Sequence, residues 1–104
     1  ERERLAALHD AGMALLVEKL MAATRWRETI DWAERWILQG RTPEPAYRAL
    51  MIAHASLGNL PAALAAYQRC VEALERELDV PPSAETKQLA DAIRHRGFPD
   101  KVTG

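Results

Sequence analysis

Three histidines and one cysteine are the side chains here best suited to ligating a metal or attacking an electrophile, and their spacing argues against both. His9, His54 and His95 are scattered along the chain, whereas structural zinc sites pair their ligands about two to five residues apart. They read as core or surface histidines. Cys70 stands where a repeating pattern asks for a small side chain, so it reads as a buried thiol acting as a small hydrophobe rather than as a nucleophile. No glycine-rich phosphate loop, His-Glu-x-x-His or Gly-x-Ser-x-Gly run is present. The sequence therefore offers no catalytic residues, no cofactor site and no metal site, and an enzyme is not expected.

Charge narrows the partners. With 14 basic and 15 acidic residues the formal charge is −1, which supplies no drive toward nucleic acid or an anionic membrane. A single cysteine excludes an internal disulfide, and neither a signal peptide nor an 18-residue apolar span is visible, so a reducing cytoplasm is the expected compartment. The 104 residues are expected to form one domain (1–104), long enough to bury about two-thirds of the unfolded surface. Apolar residues make up 48% but aromatics only 6%, a helix-forming mixture of Leu, Ala, Ile and Val. Glu1-Arg2-Glu3-Arg4 already sits inside a helical pattern without a start methionine or cap, so a piece of a longer protein is expected.

The apolar residues repeat. Met13 and Tyr47, Leu16 and Leu50, Leu20 and His54, Trp26 and Leu60, Ile30 and Leu64, Ala33 and Tyr67, and Ile37 and Val71 are each 34 positions apart (47 − 13 = 34). The spacing predicts a first hairpin over about 2–40, a second over about 42–79 and a closing helix over about 83–96. In the first helix Leu5, Leu8, Met13, Leu16 and Leu20 form the apolar stripe; in the fourth Leu64, Tyr67, Val71, Leu74 and Leu78 point inward, with Glu72 and Arg76 paired outside. Thr42 before Pro43, Asn59 after Gly58, and Ser83 after Pro82 read as helix caps. The fold class is all-α.

The 34-residue period resembles the tetratricopeptide repeat, which implies about five helices in a right-handed superhelical array. The second hairpin follows that pattern through Tyr47, Leu50, Gly58, Leu60, Ala63, Tyr67 and Cys70. The first departs from it, with Thr24 for the turn glycine, Thr29 for the small alanine, Ala33 for the aromatic and Trp36 for the last small residue. A narrower likeness runs from residue 42 to 93. Ala46-Tyr47-Arg48-Ala49-Leu50-Met51, Leu57-Gly58-Asn59, Ala63-Leu64-Ala65-Ala66-Tyr67, Leu74-Glu75-Arg76-Glu77-Leu78-Asp79-Val80 and Pro82-Ser83-Ala84-Glu85-Thr86 resemble the bacterial transcriptional activator domain. That family reads Leu-Gly-Val where this chain has Leu78-Asp79-Val80, and Pro-Ser-Pro-Glu-Leu where it has residues 82–86. The resemblance implies a regulatory, protein-binding role beside a DNA-binding or nucleotide-binding domain.

Carried over from the repeat, the concave groove is expected to use Ala14, Glu18 and Met21 from the first helix and Arg48, Ile52 and Ser56 from the third. Lys87, Ala90, Asp91 and Arg94 are expected from the fifth. Trp26 shares the arc of Ile30, Ala33 and Ile37 and is expected in the core. Trp32 and Trp36 lie beside that arc. Either both fold onto the first helix or they form a docking face for a neighbouring domain, with Trp32 more exposed than Trp26. Arg94, His95 and Arg96 read as a solvated helix end complementing the dipole. The expected partners are proteins: sibling domains of the same regulator, another protomer or the transcription machinery. Direct nucleic-acid binding and membrane binding are not expected of this chain. The alternative reading is a generic tetratricopeptide scaffold or co-chaperone adaptor holding peptides in its groove.

Overall fold

A computed structural model describes residues 2–39 and 43–96, with the side chains of 8–39 and 43–95. Five helices occupy them: α1 Arg2–Ala22, α2 Trp26–Gln39, α3 Glu44–Ser56, α4 Leu60–Leu78 and α5 Ala84–Arg96, with no strand among the described residues. The all-α hairpin architecture expected from the spacing is the one observed. Each helix packs on the next, and α3 lies at the centre, touching all four others.

The two hairpin turns are copies. Ala23, Thr24 and Arg25 donate their N–H groups to the carbonyls of Lys19, Met21 and Leu20; Leu57, Gly58 and Asn59 donate to Ala53, Ala55 and His54, each bond displaced by 34 residues (57 − 23 = 34). This double closure satisfies carbonyls that a helix end leaves orphaned, and it requires one residue in the left-handed region. Gly58 fills that role at φ 84°; Thr24 fills it in the first turn at φ 54°. Asn59 then caps α4, its side chain accepting from the Ala62 N–H. The N-cap of α3 is Pro43, without a side-chain hydrogen bond, and Thr42 lies outside the described residues. Ser83 caps α5 through Oγ, which accepts from the Thr86 N–H.

The core is rich in alanine. Ala33, Ala46, Ala53, Ala55, Ala63 and Ala90 are fully buried around Leu50, Met51 and Ile93, which lets the helix backbones approach closely. A second, smaller cluster joins Tyr47 to Cys70, Ala73 and Leu74.

Several expected positions are corrected. Leu8 is 63% exposed, and the inward face of α1 runs instead through Met13 and Val17. At about 100° per residue Leu8 lies some 140° from Met13, so the leucines of α1 fall on two faces rather than one. Leu78 is 57% exposed, because α4 has 19 residues against 13 in α3 and its last turn has no helix to cover it. Glu72 accepts from Gln68, while Arg76 sits beside Glu77, so the Glu72 to Arg76 pair does not form.

Candidate functional site

One concave cavity of about 290 Å³ opens between the first helices of the hairpins and α5. From α1 come Ala14, Val17, Glu18 and Met21; from α3, Pro45, Arg48, Ala49 and Ile52; from α5, Glu85 and Leu89. Trp36 of α2 contributes to the lining from the core side. The lining is mostly apolar, with Glu18, Arg48 and Glu85 as its charged members.

Of the residues expected in the groove, Ala14, Glu18, Met21, Arg48 and Ile52 line it. Ser56, Lys87, Ala90, Asp91 and Arg94 do not, Ala90 being buried in the core instead. Ser56 is one turn further along α3, and Arg94 pairs with Asp91 at 3.2 Å with its guanidinium over the Tyr67 ring, toward α4. The error on α5 has a definite cause. Thr86, Ala90 and Ile93 repeat the buried Ala46, Leu50 and Ala53 with a step of 40 residues (86 − 46 = 40), not 34, and Glu85 and Leu89 likewise repeat the groove residues Pro45 and Ala49. The second helix of the first hairpin has 14 residues and that of the second has 19, so α5 begins later than the period would place it.

A polar network sequence reading missed holds α5 against α3. The Thr86 hydroxyl, fully buried, donates to Glu44 Oε2 at 2.6 Å and accepts from Arg48 at 3.0 Å. The Ser83 N–H reaches the same carboxylate oxygen at 2.8 Å, and Arg48 Nε lies 3.5 Å from Glu85. Burial alone pushes the Glu44 carboxyl up, but the hydrogen bonds from Thr86 and Ser83 outweigh it and hold the group below its ordinary range. A charge-assisted network of this kind orders the wall it belongs to.

The structure chooses between the two readings of Trp36 and corrects that of Trp26. Trp36 is 3% exposed, with Nε1 donating to Asp10 Oδ1 at 3.0 Å, so it folds onto α1, the first of the two arrangements expected for it. It stands 34 residues before the buried Cys70 (70 − 36 = 34), at the same packing position of its hairpin. Trp26, expected in the core, is only half-buried, as is Trp32. Trp32 packs against the main core and carries Arg35 over its ring at 4.5 Å. The arc drawn through Trp26 ignored that the helix has only just begun there.

Chemistry elsewhere is subdued. Burial pushes the Cys70 thiol up to about 11, which leaves it protonated and unreactive near neutrality. Burial also lowers the pKa of His54. Among the described residues no group of three or more His, Cys, Asp or Glu side chains is placed to hold a metal ion, and no helix is long and apolar enough to cross a membrane.

Stacked antiparallel hairpins with a concave face built by alternate helices define a helical-repeat domain, a class that acts by offering a surface. The model of the bacterial transcriptional activator domain matches residues 1–94, and the chain belongs to that family, a regulatory domain family of transcription regulators. No curated protein and no solved structure matches it.

Proposed function

We propose that this chain is the non-catalytic interaction domain of a cytoplasmic bacterial transcription regulator, and that the α1, α3, α5 groove holds a segment of a sibling domain or of the transcription machinery. The observation that carries this reading is the groove itself: an apolar cavity with a charged rim, the composition of a site that anchors one or two apolar side chains of a protein partner. The network through Glu44, Arg48 and Thr86 supports it by holding the α5 wall in place before any partner arrives, which lowers the ordering cost of binding. DNA contact is left to another domain, in keeping with the balanced charge.

The test is a promoter reporter driven by the regulator that carries this domain. Met21→Glu and Ile52→Glu each place a carboxylate in the apolar lining and are expected to abolish the response, whereas Lys87→Glu, outside the groove, is expected to leave it unchanged. Circular dichroism on the purified chain checks that the variants keep their helices. A full response from both groove variants would remove the groove from the mechanism.

A further inference from the structure

We infer that the occupant of the groove is a cationic amphipathic segment of a protein partner, whose apolar side chains enter the cavity while a neighbouring lysine or arginine meets Glu18 at its edge. The inference rests on the groove reading above and adds the chemistry of the partner.

The walls of the cavity call for apolar anchors. Val17, Trp36 and Ala49 are almost fully buried at its base, and Ala14, Met21, Ile52 and Leu89 stand half-buried around them. Apolar surface left wet in a concavity is covered favourably when a partner's leucine or phenylalanine displaces the water. Met21, unbranched and flexible, lets the wall adjust to the side chain that arrives.

Charge decides what stands beside those anchors. The lining carries two carboxylates, Glu18 and Glu85, and one cation, Arg48. Two further carboxylates lie directly behind it. Asp10, one turn before Ala14 on α1, accepts from Trp36 Nε1, and Glu44, next to Pro45, accepts from the Thr86 hydroxyl and the Ser83 N–H. Those donors are neutral and cancel no charge. Four carboxylates against one guanidinium leave a local charge of −3 (4 − 1 = 3), in a chain whose total is −1.

Arg48 is already engaged, since Nη1 donates to Thr86 and Nε lies 3.5 Å from Glu85. Glu18 is exposed and has no ion-pair partner among the described residues. The other cations of these helices face elsewhere. At about 100° per residue Lys19 lies some 150° round α1 from the middle of the groove face, and Lys87 is on the side of α5 opposite Glu85 and Leu89. Arg35 and Arg94 sit over the Trp32 and Tyr67 rings. A cleft of one sign between low-dielectric walls focuses its field, so an incoming cation is attracted and a carboxylate is turned away.

The test uses the whole chain and three fluorescein-labelled synthetic peptides, read by anisotropy. One has a Leu-x-x-x-Leu core flanked by lysines, one has the same leucines flanked by glutamates, and one keeps the lysines with serines in place of the leucines. The lysine–leucine peptide is expected to bind roughly tenfold or more tightly than either of the others. Its lead over the glutamate peptide should shrink as salt is raised. Glu18→Lys is expected to weaken it by roughly tenfold, whereas Glu72→Lys, the same reversal on the outer face of α4, should leave it unchanged. Both positions are exposed, and far-UV circular dichroism is expected to match the parent. Equal binding of the lysine and glutamate peptides, with both lost in Ile52→Glu, would overturn the cationic partner and leave the groove reading standing. Equal binding of the serine peptide, or equal weakening by Glu18→Lys and Glu72→Lys, would mean attraction to the surface at large and overturn the inference. So would binding of none of the three, and the reporter variants above would still judge the groove by themselves.

Discussion

The first and second hairpins share one backbone plan and differ in how well their side chains suit it. Both turns close with the same three backbone hydrogen bonds, yet the second places glycine at the left-handed residue and the first places threonine. A β-branched residue is strained there. Thr29, in the position held by Ala63 in the second hairpin, is fully buried and satisfies its hydroxyl by donating to the Arg25 carbonyl at 2.8 Å. Trp36 replaces Cys70 and compensates for its indole N–H with Asp10. The comparison teaches that the hairpin geometry is set by closing orphaned backbone groups and stacking helices, while individual side chains adapt at a local cost.

The sharpest way to separate the hairpins is through their paired leucines. Leu50 is fully buried on α3, the helix that touches all four others, and Leu16, its counterpart on α1, is half-buried. Leu50→Ala is expected to cost about 2–5 kcal/mol, since the cavity it leaves is walled on every side. Leu16→Ala should cost clearly less, because solvent can fill part of the space. Urea unfolding of both variants measures the difference; equal losses would mean that α1 is as deeply packed as α3.

The turns should respond with opposite signs. Thr24→Gly relieves the left-handed strain at φ 54° and is expected to raise stability by up to about 1 kcal/mol, net of the added freedom of the unfolded chain. Gly58→Ala imposes the same kind of strain at φ 84° and is expected to lower stability by about 1 kcal/mol. A Tm that moves the same way in both variants would show that the turns are not equivalent.

The smallest effect concerns the ion pair that joins the hairpins. Arg69 of α4 donates two hydrogen bonds of 2.9 Å to Glu34 of α2, and these bonds hold the Glu34 carboxyl below its ordinary range. Because the folded pKa is depressed, the contribution is present above the unfolded carboxylate pKa and is lost as pH falls through the folded one. Both side chains are over a third exposed, so solvent screening limits the pair to less than about 1 kcal/mol. Glu34→Gln is expected to leave stability nearly unchanged at acid pH and to lower it slightly at neutral pH. A variant whose loss grows on acidification would reverse that sign.

How much was legible can be judged element by element. The hairpins were readable because their packing positions recur at one period, and the match of buried Met13 with buried Tyr47, or half-buried Ile30 with half-buried Leu64, follows from that alone. The α1 and α3 walls of the groove were readable for the same reason. The α5 wall was not, since a longer α4 displaced its register from 34 to 40, and periodicity carries no information about where the period breaks. Trp36 stayed between two alternatives because a helical wheel assigns angles within one helix and says nothing about Asp10 on α1.

What the sequence determined by itself is the local and periodic part: helices where apolar residues recur at three and four, and turns where Gly58 and Asn59 allow them. What only the tertiary structure decided is which apolar residues find cover. Leu8 and Leu50 are the same side chain on the same kind of helix, and one is exposed while the other is sealed. Burial belongs to the space between helices, and that space exists only once all five have been stacked.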